Sequence, residues 1–325
     1  MTKTALRWVV LGKELAELGG AVGTPATYIR TKENLVSDPG YYIPKPILRR
    51  AYSINQSVKY LVQGSIGEFD ARPDTIGELI YMILGAKTTT NPEGDAQVHV
   101  FKPFDGDLPH YTIFCGAEIV TKVLQGCFAS RLTFRFGQTL DALQILANIV
   151  GGSAPTGDVN FGTYQPEDTV FSTDAMFTFD QLVDFEIDSG DRLAYLFDGE
   201  VTIENVLPID KMRKGGSKYI QTFRRGDRKI TGKLSLAFDN VTTRNRFLAG
   251  TAFSLMFNWE GATISGAYKK ALKIELHNCK FLRDVSPHVA PIDEPFILNG
   301  PFQAFYDASE ANEGAITLTN TVAAY

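Results

Sequence analysis

The chain has 325 residues, of which 44% are hydrophobic and 21% are charged, and its formal net charge is −5. This composition excludes a disordered chain, and the length suffices for one large or two ordinary globular domains. The mild acidity argues against a general nucleic-acid binder, which is usually strongly basic. The odd number of cysteines, three, indicates free thiols in a reducing compartment. No apolar run has the length of a membrane span, and the N-terminal residues lack a signal-peptide pattern.

Several segments alternate apolar and polar residues over the length of a β-strand. A period of two gives a strand one buried and one exposed face, and the 22 Phe and 13 Tyr residues favour strands over helices. The clearest segments are residues 57–66, 129–136, 229–238 and 271–276. The sequence therefore predicts a mainly β protein with α+β character.

Two short helices interrupt this pattern. In the first, Pro73 with Asp74 or Thr75 starts the helix, an apolar stripe repeats at i, i+3, i+4, i+7 and i+8, and Gly85 ends it. In the second, a threonine at 242 or 243 caps the start and Gly250 ends the helix. Phe247 and Leu248 are predicted to point inward.

The elements around the two helices follow the same order. Each helix is preceded by a Tyr-Ile pair, an Arg-Arg pair and an alternating strand with a glycine and a terminal Phe-Asp. Each is followed by another strand and a cysteine motif. The matched features are Tyr42-Ile43 and Tyr219-Ile220, Arg49-Arg50 and Arg224-Arg225, Gly64 and Gly232, and Phe69-Asp70 and Phe238-Asp239. This order predicts an internal duplication with domains 1–158 and 159–325, each with one flanking helix.

The cysteine motif is Leu-x-[Gly/Asn]-Cys-x-x-x-Arg. It occurs as LQGCFASR at residues 124–131 and as LHNCKFLR at residues 276–283. A reactive thiol needs a nearby base and an electropositive setting, whereas Cys127 and Cys279 have apolar neighbours typical of small core residues. The spacing of His277 and Cys279 is compatible with two ligands of a zinc site on one face of a strand, but Gln125 stands at the corresponding place of the first motif. We therefore predict no catalytic, metal or cofactor site.

One segment is strongly basic. Residues 211–233 contain nine Lys and Arg residues and one acid. A nucleic-acid patch and a protein-contact loop that meets an acidic surface are the two interpretations. The corresponding residues 37–53 are rich in Tyr, Pro and Arg, a composition suited to interfaces, so we favour protein contact.

The order of these elements resembles the tail tube (major tail) proteins of long-tailed, non-contractile bacteriophages. The resemblance lies in GTPATYI, YYIPKPILRRAY, VQGSIGEFDARPDTIGELIYMILG and the strand entering QGCFASRLTF. It implies two tandem β-sandwich or barrel domains of the tail-tube type in a structural virion protein, not an enzyme. Chains with two such domains are expected to form pseudo-sixfold rings from three copies, which stack into a hollow tube through which DNA is ejected.

The resemblance also implies partners and surfaces. The expected partners are further copies of the chain and the tape measure, terminator and baseplate or tip proteins, with assembly in the host cytoplasm and no membrane. DNA is expected to pass without specific binding, along an inner wall short of paired Lys and Arg and bearing acids. Glu68 and Lys233 are the lumen candidates. The candidates for contacts between stacked rings are Tyr41, Tyr42, Arg49, Arg50, Lys214, Lys218, Arg224 and Arg225.

The principal alternative is a two-domain β protein that binds a ligand, a partner protein or nucleic acid through its basic loop. An enzyme ranks third, because no constellation of catalytic residues accompanies the four histidines.

Overall fold

The computed structural model describes residues 8–14, 27–31, 36–38, 41–42, 56–57, 61–117, 120–152, 172–207, 226–237, 242–282 and 297–325. Within these ranges, seventeen strands are connected by antiparallel pairing into a single sheet system, and two short strands form a separate pair. The mainly β prediction is confirmed.

The strands up to residue 151 surround one helix, α1 (Gly77–Leu84). They are β1 (Trp8–Lys13), β2 (Thr27–Arg30), β3 (Val36–Asp38), β4 (Tyr41–Tyr42), β5 (Gln56–Ser57), β6 (Leu61–Asp70), β7 (Gly85–Glu93), β8 (Ala96–Pro103), β9 (Tyr111–Ala117), β10 (Val120–Gly137) and β11 (Gln144–Gly151).

The second part of the chain contains a second helix, α2 (Thr242–Ala249), and two 3-10 helices at Phe179–Gln181 and Leu193–Tyr195. The strands are β12 (Leu182–Ile187), β13 (Gly190–Asp191), β14 (Leu196–Asn205), β15 (Arg228–Ala237), β16 (Phe253–Ser265), β17 (Tyr268–Phe281), β18 (Ile297–Ala304) and β19 (Gly314–Asn320).

A long path through the sheet runs β3–β6–β11–β10–β14–β15–β18–β17. Side branches leave from the two long strands. β10 also pairs with β9, which continues to β1 and β2, and β17 also pairs with β16, which continues to β12 and β13. A further branch links β17 through β19 and β8 to β7. Among the described strands, pairing thus crosses the predicted domain boundary at two places, β10–β14 and β8–β19.

All four predicted strands are present. Residues 129–136 lie inside β10, residues 271–276 lie inside β17, and residues 229–238 match β15 to within one residue at each end. β6 begins later than residue 57 and extends to Asp70. The sequence reasoning missed the β7–β8 hairpin, although the Asn-Pro-Glu-Gly segment at residues 91–94 is a typical turn signal.

Helix α1 ends where predicted but begins later. Gly85 follows the helix with φ 90°, and its backbone N–H donates a hydrogen bond to the Tyr81 carbonyl, as expected for a left-handed C-terminal glycine. Ile76 is the N-cap, and its apolar side chain makes no capping hydrogen bond, whereas the hydroxyl of the preceding Thr75 donates to the Arg72 carbonyl. The helix is buried on nearly all sides rather than along one stripe, since β7, β8, β10 and β14 all pack against it.

Helix α2 also ends at a glycine, Gly250 at φ 61°. The prediction that Leu248 points inward is wrong, because 61% of this residue is exposed. Among the described elements the helix packs mainly against β17, and its Arg246 forms an ion pair with Asp188 at 2.6 Å. The side chain of Phe247 lies outside the described part of the chain.

One hydrophobic core lies beneath the sheet and includes residues from both parts of the chain. Phe136 of β10 contacts Phe257 and Trp259 of β16 edge to face, with ring centroids 5.1 and 5.2 Å apart. Such aromatic pairs add about 0.5–1.5 kcal/mol to the burial of their surfaces. Neither described helix combines the length and the apolar character that a membrane crossing requires.

Candidate functional site

The first cysteine motif forms a β-bulge between β9 and β10. Leu124 faces Ile113 and Cys127 faces Tyr111, so that three steps along β10 oppose two along β9. Gly126 takes up the extra residue with φ 61°, a left-handed conformation that glycine adopts without steric cost.

The second motif forms the same bulge between β16 and β17. Leu276 faces Leu255 and Cys279 faces Phe253, again three steps against two. Asn278 has φ 47° at the place of the glycine, and asparagine is the other residue type that tolerates this conformation. The [Gly/Asn] alternative in the motif is therefore a backbone requirement.

An acid stands beside each bulge. The buried Glu14 carboxylate accepts hydrogen bonds from the Gly126 backbone N–H and the Thr112 hydroxyl, each at 2.8 Å. Asp188 accepts one from the Ser254 backbone N–H at 2.8 Å. These bonds satisfy polar groups that the bulge leaves out of the strand ladder.

The setting of both cysteines disfavours a thiolate. Cys127 and Cys279 are fully buried and free. Burial, reinforced by the negative charge of Glu14, raises the pKa of Cys127 well above its usual value, and burial together with Asp188 raises the pKa of Cys279. The described residues contain no group of three or more His, Cys, Asp or Glu side chains that could hold a metal ion. Both cysteines act as small core residues at a branch point of the sheet.

The two predicted lumen residues lie on one exposed face of the long sheet path from β3 to β17. A row of facing residues crosses five strands there: Asp70, Gln144, Arg135, Glu200 and Lys233, on β6, β11, β10, β14 and β15. Arg135 Nε donates to Glu200 at 2.9 Å, and its Nη1 forms an ion pair with Glu68. Glu68 and Lys233 are thus brought to the same charged row.

A second charged row lies two rows away on the same face. Arg131 of β10 pairs with Glu204 of β14 at 3.0 Å, and Lys229 of β15 faces Glu204 in register. Between the two rows, the hydroxyls of Thr133 and Thr202 are 3.1 Å apart. Acids therefore alternate with bases across the β10–β14 junction, and both arginines have glutamate partners.

The opposite face of these strands is apolar. Phe134, Phe136, Val201, Ile203 and Leu234 are all buried there. Because successive side chains of a strand point to opposite faces, this sheet has one core face and one polar face open to solvent.

Comparison with models of known protein families shows the family to which the chain belongs. Residues 50–319, most of the chain, match the family described as phage tail tube protein. The chain belongs to the phage tail tube protein family. The matched range includes residues on both sides of the predicted domain boundary, and the family is structural rather than enzymatic. Membership makes the chain a component of the virion tail that assembles into a tube with other tail proteins. No curated protein sequence matches this tail tube protein.

Most of the predicted ring-stacking residues of the tail tube protein fall outside the described part of the chain. Tyr41 and Tyr42 form β4, which pairs with β5. The remaining six, for which the structure provides no description, are Arg49, Arg50, Lys214, Lys218, Arg224 and Arg225.

Sequence reasoning missed Arg131, Arg135, Glu200 and Glu204, which dominate the polar face of the tail tube protein. Their partners are 65 and 73 positions apart in the chain. The available signal was the alternation of the two segments ASRLTFRF and EVTIEN, one with arginines and the other with glutamates on its polar positions.

Proposed function

We propose that this protein is the repeating subunit of the tail tube, with three chains in each ring and stacked rings around the channel for DNA ejection. The main support for this proposal is the polar face of a sheet that runs continuously from β3 to β17 through the β10–β14 pairing. Family membership supports assembly into a tube.

The number of chains per ring rests on an internal repeat of the strand order. β3–β6–β11–β10 and β14–β15–β18–β17 are two successive sets of four strands. In each set, the cysteine belongs to a row of residues that face one another on neighbouring strands. The row crosses β6, β11, β10 and β9 in the first part and β15, β18, β17 and β16 in the second part. The rows are Val62–Gly151–Cys127–Tyr111 and Ile230–Ala304–Cys279–Phe253. This repetition supports domains 1–158 and 159–325, so that three chains provide six similar sheets.

The polar face is our candidate for the lumen wall, with Glu68 and Lys233 on it. A tube must let DNA slide, and unneutralised Lys and Arg side chains would bind its phosphates. The engagement of Arg131 and Arg135 by glutamates fits a wall that offers DNA little net attraction. The Tyr- and Arg-rich residues named above remain the proposed contacts between rings, with the tape measure, terminator and tip proteins as further partners.

Electron microscopy of the purified protein tests this proposal. We expect hollow tubes or rings whose end-on averages show threefold symmetry with six similar lobes around an open channel. A protein that stays monomeric at high concentration in the presence of the other tail proteins would contradict the proposal. DNA binding by such a monomer would favour the alternative function through the basic loop.

A further inference from the structure

Two lysines lie over the tyrosine at the exposed side of helix α1. All residues of this helix are described, and Tyr81 is the one that is not buried. The ammonium groups of Lys13, at the end of β1, and Lys87, in β7, are 4.6 and 5.0 Å from the centroid of the Tyr81 ring. Lys13 Nζ is also 3.5 Å from the Tyr81 hydroxyl. We call these three partly exposed residues the lysine–tyrosine cluster.

The positive charge of the cluster is not balanced by the acid beneath it. Glu78 is buried and accepts a hydrogen bond from the Tyr111 hydroxyl. Burial raises the pKa of Glu78, whereas burial and the nearby charge of Lys13 lower the pKa of Lys87. Two ammonium groups therefore repel each other above one buried carboxyl group that ionises with difficulty.

The other neighbouring acid is directed away from the lysines. Glu14 directly follows Lys13 in the chain, but one of its oxygens accepts hydrogen bonds from the Gly126 N–H and the Thr112 hydroxyl. Its second oxygen is 3.6 Å from His110 Nε2. Within the described part of the chain, neither Lys13 nor Lys87 has a carboxylate at ion-pair distance.

The second part of the chain shows which group balances a cation at this place. Arg246 stands four residues before the terminal Gly250 of α2, as Tyr81 stands four residues before Gly85. Arg246 forms an ion pair with Asp188 at 2.6 Å. The second helix thus has a carboxylate partner from its own chain at the position where the first carries the lysine–tyrosine cluster.

We propose that the lysine–tyrosine cluster binds a carboxylate side chain from a second copy of this protein. This inference rests on the proposed self-assembly. The chain has 37 acidic and 32 basic side chains, so a second copy offers carboxylates in excess. The two ammonium groups and the Tyr81 hydroxyl, which already accepts from Lys13, are donors to a carboxylate. Such a contact adds charge complementarity that selects the partner and its orientation.

Chemical cross-linking tests the contact directly. Tubes are assembled from a mixture of unlabelled protein and protein carrying a heavy nitrogen isotope, and are treated with a water-soluble carbodiimide. This reagent joins a lysine amine to a touching carboxylate with loss of water. Mass spectrometry should find Lys13 or Lys87 joined to an acidic residue in peptides of mixed isotope content, only after assembly. The internal control is the pair Lys269–Glu260, at 2.7 Å, which should cross-link within one chain in dilute and assembled protein.

Substitution of the lysines tests the energetic contribution. K13Q/K87Q should keep the circular dichroism spectrum and thermal unfolding of the parent protein. Its concentration for half-assembly, measured by sedimentation velocity, should rise about 3- to 10-fold, as expected for two exposed ion pairs. The matched control K269Q/K273Q removes the same charge from lysines that have partners within the chain at 2.7 Å, and should assemble like the parent. K87R, which keeps the charge, should also assemble.

The outcomes separate this inference from the proposed function. If the parent protein forms tubes without mixed-isotope cross-links at Lys13 or Lys87, the carboxylate site is wrong and the tube function stands. A cross-link of these lysines within a single chain, or one that needs another tail protein, would overturn the assignment to a second copy. An equal loss of assembly in both double variants would reduce the effect to net charge. If the parent protein forms no rings or tubes with its tail partners, the proposed function fails and this inference fails with it.

Discussion

Gly126 and Asn278 show how a single backbone conformation explains a sequence motif. Both have positive φ at the extra position of a bulge, 61° and 47°. The cysteine is the most reactive residue type in the motif, but the [Gly/Asn] position is the one with a conformational requirement. Cys127 and Cys279 lie next to it because small, apolar side chains fit where a strand pairs on both edges.

The bulge gives a prediction at Gly126. G126A should lower the free energy of unfolding by about 1–2 kcal/mol, because a Cβ in the left-handed region contacts the following carbonyl oxygen. G126N should cost clearly less, since asparagine occupies the corresponding position in the second bulge. Urea unfolding of the two variants measures the difference.

The reciprocal variant is the control. N278G keeps the backbone conformation and loses the hydrogen bond from the Asn278 side chain to the Tyr306 carbonyl, 2.9 Å long. N278G should lower the free energy of unfolding by about 1 kcal/mol, the net contribution of one such hydrogen bond. Equal destabilisation by G126A and G126N would show that positive φ is not the reason for the motif.

The two helices show that similar elements acquire different environments. Both follow a strand of the long sheet path and end at a left-handed glycine, as the sequence predicts. α1 lies beneath β7, β8 and β14, and its buried Glu78 accepts a hydrogen bond from the Tyr111 hydroxyl. Burial raises the pKa of Glu78. Among the described residues, α2 has no comparable cover, and its Leu248 is exposed.

A buried polar network joins β8, β19 and the last residues of the chain. His99 is within hydrogen-bond distance of the Thr89 hydroxyl at 2.9 Å and of the Val322 carbonyl at 2.9 Å. The Asn320 side chain donates to the Pro73 carbonyl and the Tyr325 hydroxyl and accepts from the Val322 N–H. This network fixes the strand pair β8–β19 to the segment that leads into α1.

His99 gives a prediction of pH dependence. Burial lowers the pKa of His99 below 6.5, with the nearby charge of Lys87 as a smaller contribution. Between the lowered pKa and 6.5, the unfolded chain binds a proton that the folded chain does not, so stability falls as the pH decreases through this window. The free energy of unfolding should therefore decrease more from pH 7.5 to 5.5 in the parent protein than in H99Q.

Urea unfolding at several pH values measures this difference, and parallel pH profiles would contradict it. Comparison with H99Q is needed because Asp74 and Glu78 have raised pKa values. Their effect on stability has the opposite sign, since the free energy of unfolding decreases as the pH rises through their titration.

N320A provides an independent check of the network. It should lose about 2–3 kcal/mol, because it leaves several buried polar groups without partners.

At the scale of the whole molecule, strand pairing joins the two predicted domains. Seven facing pairs connect β10 with β14, and five connect β8 with β19. Separation of the halves would expose these edges and the aromatic core between β10 and β16. We therefore expect the chain to unfold as one cooperative unit although its strand order is repeated.

The two tryptophans of the chain allow a direct measurement, since Trp8 lies in β1 and Trp259 in β16, and both are buried. In W259F the remaining fluorescence reports the first part, and in W8F it reports the second. The denaturant transition of each variant should coincide with its own circular dichroism transition, as expected for two-state unfolding. A fluorescence transition that precedes the loss of β-structure in either variant would show independent domains.

The sequence by itself determined the local structure and the family. Alternation predicts four strands that the structure contains, terminal glycines end both helices, and the order of elements resembles the tail tube family that the comparison confirms. These features depend on residues within one turn or one strand, so they can be read without knowledge of distant contacts.

Only the tertiary structure decided which strands meet and which surfaces remain open. The pairing of Arg135 with Glu200 and of Arg131 with Glu204 depends on the register between β10 and β14, which no local pattern specifies. The exposure of Leu248 was missed for the same reason, since the same helical pattern is buried or open depending on the segment that covers it. Local preference selects the element, whereas its environment is set by partners that are far away in the chain.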